Sequence, residues 1–113
     1  MKTAPIPLGW RTMWVIAMFD LPTMTEDQRR DYTQFRKNLL NDGFSMMQYS
    51  VYHRHCASTE NAEAHIARMG QCLPPEGEVR FVVITDKQFE KIRTYWGKKR
   101  QSGAKSPAQL EFF

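Results

Sequence analysis

Apolar side chains run almost without polar alternation at two places, "MWVIAMF" at 13 to 19 and "VRFVVIT" at 79 to 85. Such runs predict strands covered on both faces. The first ends on a single carboxylate, Asp20, and Pro22 then breaks the strand. Thr25 is suited to cap a helix, with Glu26 and Asp27 in its first turn and Gly43 at its end. Tyr32, Phe35, Leu39 and Leu40 form the apolar stripe of that helix, and Arg29, Arg30, Arg36 and Lys37 lie off it.

Residues 44 to 56, "FSMMQYSVYHRHC", are too long for one average strand. The expectation is two strands, near 44 to 48 and 50 to 56, with a bend around Gln48 to Ser50. Ser58 or Thr59 can cap a second helix whose inward positions are Ala62, Ile66, Met69 and Leu73. "LPPEGE" is a loop, "DKQFEK" a short helical turn and "IRTYW" a short strand. The order β-α-β-β-α-β predicts an α+β, ferredoxin-like sandwich with an added C-terminal strand and tail. Residues 1 to 12 are expected as a flexible N-terminal extension and 13 to 97 as the domain. Residues 98 to 113 follow as a basic linker and a C-terminal interaction strand.

With both helices on one face of the sheet, the other face is bare. Its apolar strands predict a cover, and the simplest is a second copy of the chain, a homodimer. The edge of the last core strand needs shielding too, by "IRTYW" or by the tail "QLEFF" of a partner.

The 113 residues suit one domain, which buries roughly 65% of the surface its unfolded chain exposes. No stretch approaches the ~18 apolar residues of a membrane span, and "MKTAPIPLGWRT" lacks a signal core. A cytoplasmic location is expected, with Cys56 and Cys72 as free thiols. Net charge is +4, and all of the excess lies after residue 85, where seven Lys/Arg face three Asp/Glu. Tyr95 and Trp96 sit within that cluster. Basic side chains mixed with aromatics suit a phosphate backbone, although a solubilising tail has the same composition. Lys87, Lys91, Arg93, Lys98, Lys99 and Arg100 are the candidate backbone contacts.

Asp20 admits two readings. It is either a turn residue ahead of Pro22 or a ligand for Mg²⁺, which takes one or two carboxylates with water and substrate phosphate. One acid per chain is thin for catalysis, but a two-fold dimer meeting through the open sheet face would bring two copies of Asp20 together. His53 and His55 share a strand face while Cys56 points away, and no second pair stands at zinc-like spacing. An RNA-recognition module on the same topology would need a Gly-aromatic signature that "SVYHRHC" lacks.

Four segments together resemble the CRISPR-associated protein 2 family, with order and spacing kept over about residues 13 to 97. They are "MFDLP" at the first strand's end, "EDQRRDYTQFRKNLLNDGF", "MMQYSVYHR" and "ITDKQFEKI". The Gln48-x-Ser50-Val51-Tyr52 and Thr85-x-Lys87-Gln88-Phe89 elements look most like members that accompany Cas9-type systems. The resemblance implies a homodimer of ferredoxin-like domains. It implies an endonuclease dependent on Mg²⁺ or Mn²⁺, acting on RNA or duplex DNA according to the member. It also implies a structural part in spacer acquisition, bridging dimers of the CRISPR integrase around double-stranded DNA.

By the same resemblance Asp20 is the catalytic metal ligand, and Arg29 falls near the family's basic helix position, with Arg30 beside it. Tyr52 is the aromatic of the ribbon, and with Ser50 it is expected to support the site. Leu110, Phe112 and Phe113 of "QLEFF" stand where a tail would pair with the integrase. Met46 departs from members that carry a basic residue two positions before the ribbon's Gln. A stand-alone nuclease built on paired Asp20 is the competing reading.

Overall fold

The computed structural model describes residues 12 to 99. The expected N-terminal extension, apart from Thr12, lies outside the described residues, as do Arg100 and the tail with Leu110, Phe112 and Phe113. The elements are β1 (Met13–Asp20), α1 (Glu26–Asn41), β2 (Ser45–Gln48), β3 (Val51–Cys56), α2 (Thr59–Gly70), β4 (Glu78–Thr85) and α3 (Asp86–Glu90). The four strands form one antiparallel sheet in the order β2-β3-β1-β4. This is the split βαβ, ferredoxin-like arrangement, with β1 at its centre.

Local chemistry explains the boundaries. At the start of α1 the Thr25 hydroxyl accepts from Gln28 N–H at 3.1 Å, while Thr25 N–H donates to Gln28 Oε1 at 3.0 Å, a reciprocal capping box. At its end Gly43 takes φ +94°, Gly43 N–H donates to Leu40 O and Phe44 N–H to Leu39 O. That is a Schellman stop, and it turns Phe44 and Leu39 into the same core. Ser58 caps α2.

Met13, Val15, Ala17 and Phe19 of β1 point at the helices and are buried with Phe35, Leu39, Tyr52, Cys56, Ala62 and Met69. The alternate set, Trp14, Ile16, Met18 and Asp20, lies on the open face. Register places His55, His53 and Val51 beside it on β3, and Ile84, Val82, Arg80 and Glu78 on β4. One end of this face is covered by α3. Phe89 stacks on Trp14 with centroids 3.7 Å apart, and Trp14 Nε1 donates to Asp86 Oδ1 at 2.7 Å. His53 and His55 pack their rings on Trp14 as well.

Four expectations need correcting. "IRTYW" is not a strand: α3 carries the chain off the sheet plane, and residues 92 to 97 join no ladder. Leu73 is half exposed, because α2 ends at Gly70 before it can turn inward, and Leu40 is 39% exposed at the border of its stripe. Beside Ala62 and Met69, α2 also turns His65 inward, and its Nδ1 meets the buried Asp42 carboxylate at 2.7 Å, with Arg68 on the other oxygen. Lys98 and Lys99 are helical where a linker was expected.

Cys56 and Cys72 are both free. Burial pushes the Cys56 thiol up, offset in part by Arg54. A higher pKa leaves less thiolate at neutral pH, and the thiolate is the nucleophile. An alkylating reagent is therefore expected to label the partly exposed Cys72 in the native protein and Cys56 only in denaturant. Mass spectrometry of tryptic peptides reads this, and equal native rates would contradict the packing around Cys56.

Candidate metal and nucleic-acid site

Asp20 is the last residue of β1 and is exposed on the open face. Its main chain is held firmly on both sides. Toward β3, Phe19 N–H donates to Ser50 O at 3.1 Å. Toward β4, Asp20 is the direct register partner of Glu78. The Cβ atoms of such pairs stand about 5 Å apart on one face, so both acids belong to this corner. Glu78 leans along its own strand to Arg80, whose Nε is 3.3 Å from Oε1. No described side chain donates a hydrogen bond to the Asp20 carboxylate, which leaves both of its oxygens to solvent or ligand.

The hairpin turn beside Asp20 is tightly made. Ser50 takes φ +62°, unusual for a residue with a Cβ. Its hydroxyl meets Tyr32 Oη at 3.1 Å, and the Tyr32 ring stacks on Tyr49 at 5.9 Å. Burial pushes the Tyr32 hydroxyl up to about 12 despite the Ser50 bond, so it is protonated at neutral pH. Ser50 is thus next to Asp20 through the backbone. Tyr52 is 1% exposed on the opposite, helix-facing side, stacked at 5.7 Å on Phe19. It touches the strand that carries Asp20 from behind and has no access to the open face.

The basic residues divide. Arg29 donates to the carbonyls of Thr23 and Met24, both at 3.2 Å, and so braces the loop that leaves Asp20. Arg30 pairs with Asp27 at 3.2 Å in the open, a contact worth well under about 1 kcal/mol and easily exchanged for phosphate. Lys87, Lys91, Arg93, Lys98 and Lys99 are exposed beyond β4. Met46 packs against the core opposite Tyr52 and cannot face a phosphate. Glu78 was missed in the sequence because its partnership with Asp20 exists only in the β1–β4 register.

The donor set suits a hard divalent cation in kind, since carboxylate oxygen is what Mg²⁺ and Mn²⁺ take. In number it is incomplete: among the described residues no group of three or more His, Cys, Asp or Glu could hold a metal ion. His53 and His55 are engaged with Trp14 and Phe89, and Cys56 is in the core. No helix among the described residues is long and apolar enough to cross a membrane.

The family model described as CRISPR associated protein Cas2 matches residues 13 to 92. A protein of Parvibaculum lavamentivorans named CRISPR-associated endoribonuclease Cas2 is 64% identical over 101 residues, 89% of this chain and 100% of the relative. One of the same name from Flavobacterium psychrophilum is 47% identical, covering 92% of this chain and 90% of its own. A solved structure titled "Crystal structure of cas2" superposes with a TM-score of 0.53 at 18% identity, over 77% of this chain and 91% of that one, a likeness of fold. With the family model matching from β1 through α3, the chain belongs to the Cas2 family of CRISPR-associated proteins.

Proposed function

We propose that the protein is the small subunit of CRISPR adaptation. It would be a homodimer that binds duplex DNA, bridges dimers of the integrase during spacer acquisition, and carries a metal-dependent endonuclease centre at paired Asp20. The observation that carries the reading is the placement of Asp20. It is an unpartnered carboxylate at the rim of the one sheet face that no described helix of the chain fully covers. The relatives' name, CRISPR-associated endoribonuclease, supports phosphodiester cleavage of RNA, and duplex DNA is the second substrate this reading admits. The tail residues Leu110, Phe112 and Phe113 suit edge pairing with the integrase, because an apolar terminal strand adds well to an open sheet.

Asp20 would hold the cation, Mg²⁺ or Mn²⁺, together with the Asp20 of a second copy of the chain. Glu78, partly neutralised by Arg80, adds negative potential at the same corner. Arg29 braces the 21–25 loop through the Thr23 and Met24 carbonyls, and Ser50 holds the strand's other flank through Phe19 N–H. When bound, the metal supplies Lewis acidity that makes water a nucleophile and offsets charge growing on the phosphate. Lys87, Lys91, Arg93, Lys98, Lys99, Arg100 and the exchangeable Arg30 would hold the backbone of the nucleic acid.

Binding to phosphate has a measurable signature. Each lost contact lowers the magnitude of the log-affinity against log-salt slope by roughly 0.9. Lys98→Ala/Lys99→Ala/Arg100→Ala is expected to flatten the slope for duplex DNA by up to about three, equally for unrelated sequences. The fold should persist, since these residues follow the last core strand. Fluorescence anisotropy between low and moderate salt reads this, and an unchanged slope would assign the tail to solubility alone.

A further inference from the structure

We propose that Gly77 is a positioning residue for the site: its missing side chain sets where the Asp20 carboxylate stands. The proposal rests on the reading of Asp20 as the metal-binding acid. Gly77 precedes Glu78, the register partner of Asp20, and takes φ +89°, a conformation that favours glycine. A Cβ built there would lie 2.6 Å from Asp20 O, 2.9 Å from Leu21 Cδ2 and 3.0 Å from Leu21 Cα. Two of these three atoms are main chain, on the acid itself and on the next residue. They cannot rotate aside as a side chain would, so the end of β1 has to move.

The opposing wall is also fixed. The Gln28 side chain accepts from Met24 N–H at 2.9 Å and from Thr25 N–H at 3.0 Å, and its Nε2 donates to Glu76 Oε2 at 2.8 Å. One amide therefore ties the start of α1 to the residue beside Gly77. Leu21, 9% exposed, is wedged between the two segments. Asp20 is thus clamped from behind by the 76–77 segment and from the side by Ser50. Only its carboxylate is left free. A cation that two copies of Asp20 would share tolerates little displacement of its ligands, because a shift in one copy would be repeated in the other.

The test compares full-length wild type, Gly77→Ala, Glu76→Ala, Asp20→Asn and Gly70→Ala. Gly70 ends α2, and a methyl group added there would meet nothing within 4 Å, so it controls for the glycine-to-alanine change itself. Free Mn²⁺ is titrated by electron paramagnetic resonance, at a temperature where circular dichroism shows each variant folded. Gly77→Ala is expected to weaken Mn²⁺ binding at least tenfold, with a parallel loss of Mn²⁺-dependent cleavage. Its salt slope for duplex DNA should stay that of wild type, which a general loosening of the fold would not spare. Glu76→Ala, which removes only the exposed clamp, should weaken Mn²⁺ binding about threefold, and Gly70→Ala should leave it unchanged. If Gly77→Ala does not fold, Glu76→Ala decides: Mn²⁺ affinity equal to wild type overturns the proposal. A folded Gly77→Ala that binds Mn²⁺ normally overturns it too. Should Asp20→Asn itself bind Mn²⁺ as wild type does, the metal reading of Asp20 fails, and the positioning role falls with it.

Discussion

Asp20→Asn is expected to reduce Mn²⁺-dependent phosphodiester cleavage by at least about a hundredfold, because a metal centre contributes several kcal/mol and each 1.4 kcal/mol is tenfold. The same change should leave the protein slightly more stable. Asp20 faces Glu78 directly across β1 and β4, and like charges so placed repel by roughly 0.2–1 kcal/mol. Asn keeps the shape and removes the charge. No described side chain bonds to the Asp20 carboxylate, so nothing in the fold is left unpaired. A second copy of the acid nearby would enlarge the stabilisation, and Mg²⁺ or Mn²⁺ should then raise the melting temperature of wild type but not of the variant. Cleavage of single-stranded RNA and of duplex DNA with added Mn²⁺ reads the first effect, and calorimetry reads the second. Retained cleavage, with no change in melting, would return Asp20 to the role of a turn residue. Binding of duplex DNA should survive in either case, because the basic residues lie elsewhere. Spacer acquisition in cells that supply the integrase then separates the two roles: a scaffold works with Asp20→Asn, and a nuclease-dependent process does not.

Much of the fold was legible because local chemistry and the tertiary answer agree. Thr25 caps α1, Gly43 ends it, Pro22 stops β1, and each effect acts within four residues. The paired Tyr49–Ser50 turn was legible from length, since residues 44 to 56 exceed one strand. "IRTYW" misled because its composition suits a strand, yet a strand needs a neighbour. Phe89 seats on Trp14, and among the described residues no strand lies beside 92 to 97. His65 carried no signal in the sequence. A histidine in a helix reads as polar surface, and only the fold brings Asp42, from the end of α1, to its Nδ1.

For the site, Asp20 was legible as a lone charge that ends an apolar strand. Glu78, Gly77 and the Gln28–Glu76 clamp were not. They lie 48 to 58 residues from their partners in the sequence, and only the antiparallel pairing of β1 with β4 brings them together. The bracing role of Arg29 was hidden for a similar reason. Its targets are backbone carbonyls, which every residue carries, so no sequence pattern points to them.

Val82→Glu is expected to convert the protein to a monomer and to abolish metal-dependent cleavage while leaving Asp20 untouched. Val82 is 38% exposed at the middle of the open face, directly opposite Ile16 and in line with Ile84 and Trp14. Met18, also 38% exposed, continues the apolar surface toward Asp20. A contiguous patch of this kind, ending in two carboxylates that lack a third ligand, fits a partner better than it fits water. In the single chain the new carboxylate stays solvated, so the fold should keep its stability to within about 1 kcal/mol. In a two-fold dimer each interface would bury two uncompensated charges, at several kcal/mol apiece. A total of about 4 kcal/mol already weakens the dimer a thousandfold, enough to dissociate it at micromolar concentration unless wild type is tighter than nanomolar. Sedimentation velocity should show the change of mass, and Mn²⁺-dependent cleavage should fall to the level of Asp20→Asn, because a monomer offers only one copy of the acid. A Val82→Glu protein that sediments as a dimer would place the interface elsewhere. A monomer that still cleaves would show that one Asp20 suffices, and would remove the need for pairing altogether.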